Sequence, residues 1–421
     1  MTTLRTRIQQ LVVLGALVRA VASSTASAQS KPPEAWPTPQ LAGLVQVDVT
    51  PVSQAAVDEL DPGSGAPLND RAFALRRARV AAQITDGLVR GTVGIQASSV
   101  LAPFSVYLAE VSVNYPAQAP RPLLMAAAGV FVIPFGLEQR ERVAARAYLE
   151  PSQWVSALFP GRRDLGARVE ARYRFVHAVV ALMNGEPNEQ SALPLRDPNA
   201  AKDFIARLRV TGSVSDAVQL AFGSSLLLGA GFHPGRRETK DALVWRDVNE
   251  DGVVQTSELQ VTAGSPAEAS RNFERFGLGI DGALRARLPA LGDMNVFAEL
   301  TMAKNLDRGL WPADPLAGGR DLRELGWAIG LRQAVTRHVE IGVRYDVYDP
   351  DFDANERRGT AFVPVDARFE TVSVFAALCS VRSLRLTVQY DHRRNPLGRE
   401  PSGAPTTLAS DTLIMRGQLV F

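Results

Sequence analysis

Between positions 164 and 175 the chain reads DLGARVEARYRF, so that Arg168, Glu170, Arg172 and Arg174 fall on alternate residues. Arginine carries a permanent charge on a planar fork of donors, and a row of such forks on one face suits carboxylate or phosphate oxygens. The same alternation places Arg77 with Arg79, Arg207 with Arg209 and Arg285 with Arg287, joined singly by Arg90, Arg332, Arg344, Arg385 and Arg416. Acids in the same phase are fewer: Asp48, Glu110, Glu170, Asp281, Glu299, Glu340, Asp346 and Asp391. Where an arginine pairs with an acid across neighbouring strands, the pair stiffens a wall. Where it does not, its charge is left to attract anions.

A second constellation lies at Asp247-Val-Asn249-Glu-Asp251-Gly252-Val253-Val254-Gln255-Thr-Ser-Glu258. Oxygen side chains at positions one, three, five and nine, a glycine at six and a glutamate at twelve match the twelve-residue calcium loop, with Val253 offering its backbone carbonyl. No helix pair flanks it, so the expectation is a calcium-stabilised connection between strands, with a chance acidic turn as the alternative. Calcium there would be structural.

Other chemistry is poorly served. His177, His233, His338 and His392 are dispersed, and no H-E-x-x-H, G-x-S-x-G, P-loop or dinucleotide fingerprint is present. His177 and His338 are expected at turns. The lone Cys379 excludes an internal disulfide framework and a multi-cysteine metal site. Formal net charge is +2, and without the first 28 residues 43 basic face 44 acidic residues, a balance that does not indicate nucleic acid as a partner.

Elements that could hold the arginines follow from the period. In 164–175, Leu165, Ala167, Val169, Ala171, Tyr173 and Phe175 occupy the face opposite the charges, which is period two, the strand signature. About sixteen such runs are legible, near 41–50, 72–84, 89–99, 104–115, 123–135, 164–175, 176–186, 203–213, 217–231, 275–288, 293–304, 322–335, 338–348, 367–379, 383–393 and 411–421. Most have the length a tilted membrane strand needs. Their connections tend to alternate long (51–71, 136–163, 187–202, 232–274, 305–321, 349–366, 394–410) and short, with 100–103 a short exception on the long side. A soluble sandwich has no reason to sort its loops this way, whereas a transmembrane antiparallel barrel does. In such a barrel the apolar face meets lipid and the charged face a wet lumen. Tyr115, Tyr173, Phe175, Trp327 and Tyr345 then read as girdle aromatics.

Residues 1–28 read as a secretory signal: Arg5 and Arg7, an apolar run and Ala26-Ser27-Ala28 as the cleavage site. A proline-rich lead-in follows over 29–40, and the barrel would occupy 41–421. No uninterrupted apolar run after residue 30 reaches the roughly 18 residues of a spanning helix.

The segments GVFVIPFGLEQ (129–139), FPGRRDLG (159–166) and MNG (183–185), with FALRRARV (73–80) upstream, resemble the phosphate-selective porin O/P family of outer-membrane proteins. The resemblance extends more weakly over 41–421. It implies a sixteen-stranded barrel in the outer membrane of a Gram-negative bacterium, commonly a homotrimer, with the long third loop folded into the pore. It also implies that Arg76 and Arg77 match the family's double arginine, and that Glu110 stands where the family carries an aspartate near the constriction. The loop would add Arg140, Arg142, Arg162 and Arg163 to the pore. One departure matters: the family's lysine two residues before the P-F-G proline is here Val132, which bears on phosphate specificity. The terminal stretch DTLIMRGQLVF, ending at Phe421, resembles the signal read by the barrel-assembly machinery. The implied function is a passive channel for small hydrophilic solutes with a preference for anions, phosphate and other oxyanions among them. Alternatives are a general, sugar or organic-acid porin on the same scaffold, or a closed structural barrel. A barrel enzyme would need a His-Ser or Asp-His constellation on one rim, against which the scattered histidines speak.

Overall fold

A strand's N–H and C=O groups point sideways and must be met by a neighbour. The computed structural model describes residues 37–53, 63–64, 71–117, 119, 121–187, 197–289, 291–358, 361–364, 367–381, 383–399 and 405–421. The first nine strands are β1 (Gln40–Ser53), β2 (Ala72–Asp86), β3 (Val89–Ala97), β4 (Phe104–Tyr115), β5 (Leu124–Val132), β6 (Arg163–Tyr173), β7 (Val176–Met183), β8 (Asp203–Ser215) and β9 (Val218–His233). A hairpin of β10 (Ala242–Trp245) and β11 (Leu259–Thr262) precedes β12 (Arg271–Leu288), β13 (Gly292–Lys304), β14 (Arg323–Ala334) and β15 (Val339–Asp349). A second hairpin, β16 (Asn355–Arg358) with β17 (Ala361–Pro364), leads to β18 (Phe369–Val381), β19 (Leu384–Arg399), β20 (Pro405–Ala409) and β21 (Thr412–Val420).

Sixteen of these strands pair antiparallel in chain order, β20 pairs with the outer end of β19 in line with β21, and β21 returns to pair with β1. The sheet is therefore a closed barrel without a free edge. Every alternating run became a strand, although β12 starts at Arg271 rather than near 275. Connections at one end are short, as between β2 and β3, β6 and β7, and β8 and β9, while the other end carries the long ones. The expected signal peptide, and the lead-in as far as residue 36, lie outside the described residues.

Outward side chains such as Val93, Val111, Phe222, Ile280, Ile329 and Val374 are exposed, whereas the polar residues between them face inward and are mostly buried. That is the inverse of a water-soluble sheet and suits a bilayer. Among the described residues no helix is long and apolar enough to cross a membrane. An apolar core nevertheless exists, inside the barrel. Phe131, Ile133, Phe135, Trp154, Leu158 and Phe159 pack against Met183, Ile205, Leu227 and Tyr348 of the inner wall. Most of the first group belong to the connection between β5 and β6.

Candidate functional site

That connection, residues 133–162, folds into the lumen, as the resemblance implies. Its entry explains the P-F-G-L-E stretch. Phe135 is wholly buried in the apolar core, and Gly136 turns the chain at φ +63°, where a Cβ would also lie 2.1 Å from Glu299 Oε1. Glu299, on β13, accepts the next two N–H groups, from Leu137 at 2.7 Å and Glu138 at 3.0 Å. The N–H of Gly136 donates to Ser225 Oγ of β9 at 3.0 Å. Glu138 itself binds Arg344 of β15 at 2.8 Å and accepts the Ser152 N–H at 3.0 Å. Phe135, Gly136, Leu137 and Glu138 together anchor the loop to the barrel wall.

Beyond the entry the loop crosses to the far wall. Tyr148 Oη lies 2.6 Å from the Val343 carbonyl and 3.0 Å from that of Leu331, and its ring meets Phe375 edge-on at 5.1 Å. The Leu149 N–H donates to Gln389 of β19 at 2.9 Å, and Gln418 of β21 donates to the Ala144 carbonyl at 3.0 Å. Glu150 ends the crossing on Arg76, Arg77 and Arg416, at 2.8, 3.2 and 2.8 Å. The short helix Gln153–Leu158 then buries Trp154 and returns the chain to β6.

The wall arginines divide by partner. Strict alternation excludes one of Arg76 and Arg77 from the lumen, yet both reach Glu150. The reason is a register shift in which Gln46 pairs with Arg77 and Val47 with Leu75, leaving Arg76 as an extra, bulged residue. A second shift, between Gly94 and Ile95, leaves Tyr107 unpaired in β4. Tyr107 escaped the sequence reading for that reason, although Gly94 inside a strand was a signal for a bulge. Its ring carries Arg79 at 4.5 Å and Arg163 at 5.0 Å, and Arg79 donates to Gln96 at 2.6 Å.

Lower in the wall Arg168 bridges Glu110 at 3.0 Å and Glu170 at 2.9 Å, and Glu170 also takes Arg172 at 2.6 Å. Arg207 pairs with Asp281 at 2.7 Å. Two expected pore residues are placed differently. Arg174 occupies the β6–β7 turn at φ +52°, exposed and lying over Tyr173, because the two-residue turn breaks the alternation. Arg162, at φ +63°, turns its guanidinium onto the loop's own carbonyls, at 2.8 Å for Glu138 and 3.0 Å for Glu141, and so braces the loop. His177, expected at a turn, is the second residue of β7 and contacts Glu170 at 3.0 Å. His338 does lie in a turn.

Between the entry of the loop and the short-turn half of β7–β9 and β12–β14 lies a cavity of about 720 Å³. Seven arginines line it: Arg121, Arg140, Arg142, Arg207, Arg209, Arg285 and Arg332, against Glu138 and Glu141. Glu138 is taken by Arg344, Arg207 by Asp281 and Arg285 by Asp293. The other five arginines have no carboxylate within ion-pair distance among the described residues. The cavity is thus a basin of positive charge in a low-dielectric wall.

In the β10–β11 connection, Asp247 accepts the N–H of Gly252 at 2.8 Å, Asn249 that of Asp251 at 3.1 Å, and Asp251 that of Val253 at 2.8 Å. Gln255 donates to Asp251 at 2.6 Å. Glu258 is turned to Trp245 Nε1 at 3.0 Å and to the N–H of Val248 at 3.1 Å. Those donors, the indole first, hold its carboxyl below the usual carboxylate range. The oxygen set has the hardness calcium prefers. Among the described residues, however, no three carboxylate, imidazole or thiolate groups gather as a metal centre.

No protein-family model and no curated protein matches the sequence. Solved structures match in fold. OprB of Pseudomonas putida aligns over 92% of this chain and 94% of its own, with a TM-score of 0.55 and 11% identity. The outer membrane channel DcaP of Acinetobacter baumannii aligns over 92% and 98%, with a TM-score of 0.53 and 10% identity. An anion-selective porin from Comamonas acidovorans aligns over 91% and 99%, with a TM-score of 0.52 and 9% identity. The barrel is the fold of outer-membrane porins.

Proposed function

We propose that this protein is an outer-membrane porin of a Gram-negative bacterium, a passive channel for small hydrophilic solutes that favours anions. The observation that carries the reading is the cavity in which Arg121, Arg140, Arg142, Arg209 and Arg332 stand without a carboxylate at ion-pair distance among the described residues. Such a basin raises the local concentration of anions, and several weak sites let an ion enter and leave again. The folds of a named channel and of a named anion-selective porin support the same reading. Val132 supplies no cation at the loop entry, which counts against a specific preference for phosphate over other oxyanions.

The test is conductance of the refolded protein in a planar bilayer under a chloride gradient, with phosphate added afterwards. A reversal potential on the anion side is expected. A cation-side or neutral potential would leave a general porin, and absence of conductance from folded, heat-modifiable protein would leave a closed structural barrel.

Three further readings accompany it. The homotrimer implied by the resemblance would be seen as a threefold mass in detergent by native mass spectrometry. Recognition by the assembly machinery would run through Phe421, and Phe421→Ala would reduce the folded fraction in the outer membrane. Calcium would close the Asp247–Glu258 loop by drawing Glu258 from its present donors to the ion.

A further inference from the structure

Glu150 is the one acid of the loop tip, and its two oxygens receive four guanidinium donors. Oε1 takes Arg76 Nε at 2.8 Å, Arg77 Nη1 at 3.2 Å and Arg416 Nη2 at 2.8 Å, while Oε2 takes Arg77 Nη2 at 3.2 Å. The arginines come from two strands that flank β1, and Arg77 and Arg416 have further partners besides Glu150. Arg416 is held by both oxygens of Asp48, at 2.6 and 2.8 Å, and by the Leu149 carbonyl at 2.7 Å. Arg77 also contacts Gln46 Oε1 at 3.3 Å. The backbone of Glu150 is tied separately, its carbonyl accepting from Arg344 at 2.9 Å. Movement of its carboxylate would leave the backbone tie and the other contacts of Arg77 and Arg416 unbroken. The side chain keeps 29% of its surface open.

We propose that Arg76, Arg77 and Arg416 form a binding site for a small organic carboxylate, and that Glu150 occupies this site as a tethered surrogate which the solute displaces. The inference rests on the channel reading for its role in transport, but the site itself does not require an open pore. A planar carboxylate is the favoured class because four donors converge on two oxygen positions; a phosphate would bring a third oxygen with no donor assigned to it. Competition by Glu150 weakens solute binding, which suits a channel that must release what it binds.

The experiment is calorimetric titration of the folded, detergent-solubilised full chain with sodium acetate and with sodium phosphate. Wild type is compared with Glu150→Ala and Glu150→Gln, folding of each being checked by heat-modifiable migration. Removing the tethered carboxylate is expected to tighten acetate binding at least tenfold, and Arg77→Met in the Glu150→Ala background is expected to abolish the gain. Equal acetate affinity in wild type and either folded variant would overturn the proposal. Phosphate binding tighter than acetate in the variants would overturn the carboxylate assignment. The channel reading stands or falls separately, on whether the wild-type protein conducts.

Discussion

Arg207 and Asp281 meet in a two-point ion pair, at 2.7 and 3.0 Å, although the whole of β9 runs between their strands. Gly223 of β9 makes this possible. A Cβ there would stand 2.5 Å from Asp281 Oδ2 and 2.7 Å from Arg207 Nη2. With side chains only 1% and 2% exposed, neither charge has water to fall back on. Arg207→Ala is expected to destabilise the barrel by about 3–5 kcal/mol, since it strands a buried carboxylate. Gly223→Val should act in the same direction by pushing the pair apart. Replacing both partners, as Arg207→Met with Asp281→Leu, should recover most of the loss. Urea unfolding in lipid vesicles would measure all three, and a single and a double substitution of equal cost would refute the account.

Paired and unpaired arginines should differ in what they do to selectivity. Arg209→Gln and Arg332→Gln each remove a charge that has no carboxylate at ion-pair distance among the described residues, so the anion-to-cation permeability ratio should fall about twofold for each. Arg168→Gln removes a charge already set against Glu110 and Glu170, and a smaller fall is expected. Glu110→Gln should raise the ratio. Reversal potentials at low salt are the readout, because screening at high salt compresses the differences.

Arg162 offers a contrast, because its guanidinium serves the loop backbone. Arg162→Ala removes the side-chain donor from the carbonyls of Glu138 and Glu141, the first of which keeps only the Glu141 N–H, a local cost of about 1–3 kcal/mol. The expected result is noisier single-channel current and faster protease nicking between 137 and 162, with ion selectivity unchanged. A clean shift in selectivity would mean that Arg162 contacts the permeating ion after all.

The calcium reading has a built-in reporter. Trp245 Nε1–H donates to Glu258, and calcium would compete for that carboxylate. Calcium addition should shift Trp245 emission, and Glu258→Gln should abolish the shift while leaving the barrel folded. If titration to millimolar calcium leaves the emission of wild-type protein unchanged, the stretch is an acidic turn stabilised by its own N–H groups.

The strands were legible because period two is a local property that survives without knowledge of the partner. The loops that join them were legible for the same reason, as breaks in the period. Arg174 marks a limit of alternation, which carries no information about where a two-residue turn begins. Arg76 and Tyr107 show a second limit, since a bulge shifts the phase by one residue and is set by the opposing strand. The inward course of the third loop came from a resemblance, and its anchors could not be read from any window of the chain. Gly136 meets Glu299 and Tyr148 meets Val343 across sequence distances of well over a hundred residues.

Gln46 donates to Gln418 at 2.7 Å, a contact between residues 372 positions apart, and Gly43 and Phe421 exchange both backbone hydrogen bonds beside it. The seam between β1 and β21 therefore cannot form while β21 is still being made. Until then β1 carries an open row of donors and acceptors, and β21, when it arrives, brings the only matching one. Any intermediate in which the other strands have paired and this seam has not is a curved sheet with two unpaired borders, and closing it carries the loop-closure entropy of nearly the whole barrel. The time-limiting hazard for this chain is thus self-association at an unstitched border, and its remedy is escort of β1 and β21 until they meet.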